Sequence, residues 1–95
     1  MNQETSCRAD VWLWRARFFK TRTLSARFVE EGRVRVVRGG ADTRLDKPSR
    51  PLKVGDGVVM ALDGRLITVK VEALGARRGP PAEARALYSD LEAED

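Results

Sequence analysis

The stretch RADVWLWRARFFKTRTLSARFVEEGRVRVV, Arg8 to Val37, decides the fold. It reads as a short helix, a basic turn, a second short helix, a glycine stop and a strand. The first helix starts near Ala9 or Asp10, where an aspartate can cap unsatisfied N–H groups, and runs through Arg17. Leu13 and Ala16 are three apart and share a face, which Trp12 joins. Trp14 points to a different side. Thr21 is a natural N-cap for the second helix, and Gly32 sits where a left-handed residue ends it. Leu24, Ser25, Phe28 and Val29 form the inward stripe of that helix. Arg22, Thr23, Ala26, Arg27 and Glu30 are left on its other faces. Val34-Arg35-Val36-Val37 alternates for part of its length and suits a strand.

The rest of the chain builds outward from this unit. Residues 38–53 read as a loop, because Gly39-Gly40, Pro48 and Pro51 interrupt regular structure. Val54-Gly55-Asp56-Gly57 is a turn into the strand Val58–Leu62. Asp63-Gly64 is the two-residue signal of a tight hairpin. The return strand runs Arg65–Glu72, with Ile67, Val69 and Val71 on one face. Gly75 to Pro81 is a second break, and Pro81 suits the first turn of a last helix. Ala84, Leu87, Tyr88 and Leu91 give that helix its packing stripe.

The expected architecture is one α+β domain. Two packed helices lie on a small, mainly antiparallel β-sheet, and a C-terminal helix follows. Residues 1–7 form a flexible N-terminus, 8–75 the domain with its hairpin, and 76–95 a linker, a short helix and an acidic tail. Ninety-five residues suffice for one modest core. Trp12 and Phe18 belong in that core, while Trp14 or Phe19 is a candidate for stacking on a base.

Charge is distributed unevenly. Between Arg8 and Lys53 there are 13 Lys/Arg and 5 Asp/Glu, a net of +8 against +4 for the whole chain. A helix-turn-helix with that charge is suited to phosphates rather than to a small metabolite. Nucleic acid is therefore the expected partner. Charge alone does not separate RNA from DNA; it is a family resemblance that makes RNA the preferred partner and DNA the secondary one. Lys20, Thr21 and Arg22 sit at the start of the second helix, where unpaired N–H groups and the helix dipole favour an anion. Arg15 and Arg27 add cations on the two helices. Arg33 and Arg35 flank the start of the strand, with one expected to face the RNA. Lys47 and Arg50, with Lys53, extend the patch beside the two prolines.

Other chemistry is poorly supplied. The chain has one cysteine, Cys7, and no histidine. No intramolecular disulfide can form and no Cys/His zinc site can be built. Glu30 and Glu31 are adjacent and point to different helix faces, so they make no acid/base pair. Neither Gly39-Gly40 nor Gly55-Asp56-Gly57 has the context of a nucleotide loop. No enzyme activity, metal or cofactor is expected. The apolar runs are too short for a membrane span and residues 1–7 lack an export signal, so the cytoplasm is the expected compartment.

An ordered set of residues resembles a known RNA-binding module. Arg8-Ala9-Asp10, Leu13, Thr21-Arg22, Gly32-Arg33-Val34 and Val36, then Pro48-Ser49 and Val54-Gly55-Asp56, look like the alpha-L motif of the fourth small-subunit ribosomal protein. Trp12-Leu13-Trp14, Arg17 to Arg22, and Arg77-Arg78-Gly79-Pro80-Pro81-Ala82-Glu83-Ala84 with Leu87-Tyr88 narrow the likeness. They are similar to the bacterial family of ribosome-associated heat-shock proteins of roughly fifteen kilodaltons. By the module's pattern Arg8 lies near the RNA surface, an alternative to a salt bridge with Asp10 or Glu30. The resemblance implies binding to structured ribosomal RNA of the large subunit, with transfer RNA as a further partner. It further implies rescue or recycling of subunits that carry a stalled nascent chain. A different reading is an accessory RNA-binding subunit of an RNA-modification enzyme.

The chain departs from the family in several places. Val37-Arg38-Gly39-Gly40 replaces the usual asparagine-glycine, and the loop to Pro48 is longer than usual. Ser25 stands where alanine is usual. The sequence ends in Leu91-Glu92-Ala93-Glu94-Asp95 rather than in a long basic extension.

Overall fold

The computed structural model describes residues 5–91. Most of the expected N-terminal lead-in and the acidic tail lie outside these residues. The elements run β1 (Cys7–Arg8), α1 (Ala9–Arg15), α2 (Arg22–Glu30), β2 (Val34–Arg38), β3 (Ala41–Arg44), β4 (Pro51–Leu52), β5 (Gly57–Leu62), β6 (Arg65–Val71), α3 (Pro81–Arg85) and β7 (Tyr88–Asp90). Five strands form an antiparallel sheet in the order β3-β2-β5-β6-β7, and β1 pairs with β4 in a separate two-stranded ladder.

Alternation along β2, β5 and β6 sends one set of side chains to the core. Val34 lies opposite Met60 and Val36 opposite Val58, and Val58 in turn pairs with Val69. All five are buried, together with Val71, and they meet Trp12, Leu13, Ala16, Phe28 and Val29 from the helices. Trp12 is fully enclosed and its indole N–H donates to the Ala73 carbonyl at 2.9 Å. Such a bond is what a buried tryptophan needs to avoid an unsatisfied donor. Phe18 packs between Trp12 and Tyr88, with ring centroids 6.2 and 4.9 Å away.

The helix ends follow the expected chemistry in part. Thr21 caps α2, its Oγ1 accepting the Leu24 N–H at 3.0 Å. Gly32, at φ +79°, closes the helix by donating its N–H to the Val29 carbonyl. Ser25 is buried and donates to the Asp10 carbonyl at 2.7 Å, so the hydroxyl is accommodated where α1 and α2 cross. Asp10 does not cap α1. Its carboxylate is turned inward, and the first N–H groups of α1 find backbone acceptors instead. Ala9 donates to the Arg50 carbonyl at 2.8 Å and Asp10 to the Pro48 carbonyl at 3.1 Å. The segment between Pro48 and Pro51 is thus the cap of the first helix.

Four further expectations are corrected. α1 stops at Arg15, because Arg17 takes a left-handed conformation at φ +68°. Phe18 N–H then donates to the Leu13 carbonyl and Arg17 N–H to the Trp14 carbonyl, which is the Schellman arrangement with arginine at the position glycine usually holds. Leu24 is not inward: it is 46% exposed, since only Ser25, Phe28 and Val29 of the stripe face α1 and the sheet. Residues 38–53 are not a plain loop. Gly39 (φ +59°) and Gly40 (φ +83°) form a tight hairpin turn that pairs Arg38 with Ala41 and creates β3. Pro51-Leu52 pairs back to Cys7-Arg8, so Cys7 is buried rather than part of a frayed lead-in.

The last helix is also shorter than its apolar stripe implies. α3 ends at Arg85, and Tyr88–Asp90 extend as an edge strand on β6. Tyr88 still packs inward, and Leu87 is buried. A stripe at helical spacing can therefore be satisfied by a helical turn followed by a strand.

Candidate nucleic-acid interface

The start of α2 supplies the most open group of donors. Lys20, Thr21, Arg22 and Thr23 are all exposed. Thr21 Oγ1 takes the Leu24 N–H, and Ser25 N–H donates to the Thr21 carbonyl. The N–H groups of Arg22 and Thr23 have no acceptor among the described residues. They point from the first turn of a nine-residue helix, where the dipole adds positive potential. Lys20 and Arg22 have no carboxylate within ion-pair distance among the described residues. The Arg22 guanidinium stands 6.0 Å from the centroid of the Trp14 ring. That contact steadies the side chain while leaving its N–H fork usable for phosphate.

Beside this turn lies a shallow hollow of about 200 Å³ lined by Phe19, Leu24, Arg27, Phe28 and Glu31. Phe19 and Phe28 meet within it at a tilt of 46°, their ring centroids 4.8 Å apart. The exposure of Leu24 belongs to this feature. Arg27 stands at the rim and is likewise without an ion-pair partner among the described residues, as is the exposed Lys47.

Lys53 is exposed and bonded only through its backbone, to Asp56, among the described residues, whereas the remaining cations expected to meet RNA are engaged within the protein. Arg8 grips Asp10 with two bonds, Nε to Oδ1 at 3.0 Å and Nη2 to Oδ2 at 2.8 Å. Hydrogen bonding to Asp10 pushes the Arg8 pKa above its ordinary value. The salt bridge weighed as the alternative for Arg8 is therefore present, although its side chain remains about half exposed. Arg15 is turned toward the 74–75 backbone, with Nη1 donating to the Gly75 carbonyl at 2.8 Å and the Leu74 carbonyl at 3.3 Å. Its Nη1 also lies 3.6 Å from Cys7 Sγ. Arg33 stands 3.4 Å from Glu31 and covers the Phe28 ring at 5.6 Å. Arg35 pairs with Asp42 at 2.8 Å across the β2–β3 hairpin. Arg50 pairs with Asp46 at 2.9 Å.

Surface pairs of this kind are weakly held and can be exchanged for a phosphate. Arg33, Arg35 and Arg50 thus stay within the basic surface, but at a competitive disadvantage to Lys20, Arg22, Arg27 and Lys47. Arg15 differs, because its acceptors are backbone carbonyls in a partly buried setting.

Two residues that entered the sequence reading only as part of the family likeness, with no role of their own, carry structural weight. Asp56 is 2% exposed and accepts three bonds: from Arg38 Nε at 2.8 Å, from Arg38 Nη2 at 2.6 Å and from the Lys53 N–H at 2.8 Å. Hydrogen bonding to Asp56 is the main reason the Arg38 pKa is raised. The pair ties β2 to the turn before β5. Arg78 is the second: it donates to the Trp14 carbonyl at 3.1 Å and the Phe19 carbonyl at 3.3 Å. No local spacing signals either contact, since the partners are 18 and about 60 residues apart in the chain.

Among the described residues no group of three or more His, Cys, Asp or Glu could hold a metal ion. No helix there is long and apolar enough to cross a membrane.

Comparison with known proteins places these elements in a family. The S4 domain model matches residues 7–36, which span β1, α1, the basic turn, α2 and the first half of β2. Heat shock protein 15 of Escherichia coli K12 is 34% identical over 83 residues, covering 87% of this chain and 59% of that protein. A heat shock protein 15 homolog from Aeromonas salmonicida is 32% identical over 102 residues, covering 92% of this chain and 77% of its own length. The trimeric structure of Vibrio cholerae heat shock protein 15 superposes with a TM-score of 0.79 at 32% identity, covering 92% of this chain and 83% of that one. The chain spans about three fifths of the length of the Escherichia coli relative.

Proposed function

Because this chain belongs to the heat shock protein 15 family, we propose that it is a non-enzymatic RNA-binding protein that grips structured ribosomal RNA. The observation that carries this reading is a coincidence of place. The segment matched by the S4 domain ends α1, turns through Lys20-Thr21-Arg22 and opens α2, where exposed cations surround unpaired N–H groups. RNA helices display phosphates and 2′-hydroxyls rather than readable major-groove edges. An array of charge and backbone donors suits that target better than a base-reading surface does. In this reading Lys20, Thr21, Arg22, Arg27 and Lys47 make the primary contacts. Arg8, Arg33, Arg35 and Arg50 exchange internal carboxylates for phosphates at the margin.

The finer reading is that the protein acts in the cytoplasm on the large ribosomal subunit, in rescue or recycling of subunits that carry a stalled nascent chain. It is supported by the family resemblance of Trp12 to Arg22 and of Arg77 to Tyr88. Transfer RNA on such a subunit is a natural second contact. Binding to purified ribosomal RNA, followed by co-sedimentation with separated large and small subunits, tests both levels. Binding to RNA with recovery in the large-subunit fraction is expected. Recovery only with small subunits would remove the finer reading, and absence of RNA binding would remove both.

A further inference from the structure

We propose that Arg78 is a positioning residue for RNA binding: it holds the α1–α2 turn in the shape that presents Lys20, Thr21 and Arg22, without itself touching phosphate. The inference rests on the RNA-binding reading of that turn.

The turn is built from an unfavourable piece of backbone. Arg17 occupies the left-handed region at φ +68°, a conformation that a residue with a side chain adopts at a cost. Such a residue persists when its surroundings over-determine it. Here they do so by reciprocal bonds between arginines and carbonyls. Arg17 Nε donates to the Gly79 carbonyl at 2.8 Å. In the opposite sense Arg78 Nε donates to the Trp14 carbonyl at 3.1 Å and its Nη2 to the Phe19 carbonyl at 3.3 Å. Trp14 lies in the last turn of α1, and Phe19 immediately precedes Lys20. One planar guanidinium therefore spans the reversal of the chain from its entry to its exit.

The segment that carries Arg78 is itself braced. Arg15 Nη1 bonds the Gly75 carbonyl at its start. At its end Arg77 pairs with Glu83 of α3 at 2.8 Å, and a Cβ on Gly79 would collide with the Glu83 carboxyl group. Pro80 and Pro81 stiffen the approach to α3. Arg78 is half-buried and two of its donors are spent on carbonyls. Arg85, on α3, has the same charge, is exposed and has no ion-pair partner among the described residues. It is thus a control for charge alone.

The test measures affinity for purified ribosomal RNA across a salt series, well below the melting temperature, for wild type, Arg78→Ala, Arg78→Lys and Arg85→Ala. Amide hydrogen exchange is followed on the same proteins. Arg78→Ala is expected to weaken binding at least fivefold with an unchanged salt slope, and to accelerate exchange selectively over residues 19–23. Arg78→Lys keeps the charge but cannot span both carbonyls, so it should lose nearly as much. Arg85→Ala should change affinity less than twofold. A slope shallower by about 0.7, one phosphate contact's worth on single-stranded RNA, with recovery in Arg78→Lys would make Arg78 a direct contact and overturn the proposal. Unchanged affinity and exchange in Arg78→Ala would overturn it as well. If Arg78→Ala does not fold, Arg78→Lys and its exchange pattern decide. Failure of wild type to bind RNA is a failure of the RNA-binding reading; exchange over residues 19–23 still reports whether Arg78 holds the turn.

Discussion

Lys20 and Arg22 are cations with no internal carboxylate partner among the described residues, and this sets the first prediction. Lys20→Ala with Arg22→Ala should weaken RNA binding at least tenfold. Each charge-assisted contact is worth roughly 1.5–3 kcal/mol before discounting for exposure. Thermal stability should change little, because both side chains are exposed and Thr21 still caps the helix. Filter binding and thermal melts on the same samples check this, with Arg85→Ala on α3 as the inert control. Wild-type affinity in the double variant would show that α2 does not face the RNA. Asp56 makes the opposite case. Its three accepted bonds are internal, so Asp56→Ala should cost about 2 kcal/mol of stability, the range for hydrogen bonds to a charged group. A smaller shift in urea unfolding would mean that Arg38 finds another acceptor.

At the scale of elements, the β2–β3 hairpin and the cap of α1 carry the argument. Gly40 sits at φ +83° with open space where a side chain would go. Gly40→Val should therefore destabilise through backbone strain alone, by about 1–2 kcal/mol, and Gly40→Asn should cost less. Urea denaturation of the two variants separates strain from packing. Asp46 and Arg50 clasp the segment whose Pro48 and Arg50 carbonyls cap α1. The hydrogen bond from Arg50 holds the Asp46 carboxyl below the usual carboxylate range. The sign follows from linkage: the folded-state value is depressed. The contribution is therefore complete above the ordinary carboxylate value and fades as pH falls through the lowered one. A carboxyl titration by NMR should place Asp46 below the ordinary carboxylate range, and Arg50→Ala should return it to that range. An unchanged midpoint in Arg50→Ala would deny the pairing in solution.

On the scale of the whole molecule, two properties are global. The core is small and centred on Trp12, so Trp12→Ala should cost about 3–5 kcal/mol. That is comparable to the total stability of many domains of this size, and circular dichroism should show a largely unfolded protein at 37 °C. Binding is also collective. If about five phosphates are neutralised, the slope of log affinity against log salt should be near −3 to −4, at roughly −0.7 per contact on single strands. A flat salt response would remove the basic surface as the source of affinity.

The sequence by itself determined whatever depends on neighbours in the chain. Thr21 as a cap, Gly32 as a stop, Asp63-Gly64 as a hairpin and the alternation Ile67-Val69-Val71 are local signals, and each has the conformation its chemistry demands. The paired glycines at 39 and 40 carried the same kind of signal, but the prolines downstream made the whole segment read as a loop. Tertiary structure decided what depends on distant partners. Asp10 could cap α1 or pair with Arg8, and the carbonyls of Pro48 and Arg50 settled it by taking the helix N–H groups. Tyr88 could continue a helix or join a sheet, and the open edge of β6 offered backbone partners that a lone short helix lacks. The arginines divide in the same way. Their number and sign are legible in the chain and point to phosphate. Which of them remain available, and which bind carbonyls or carboxylates, is set by contacts across tens of residues that no spacing rule encodes.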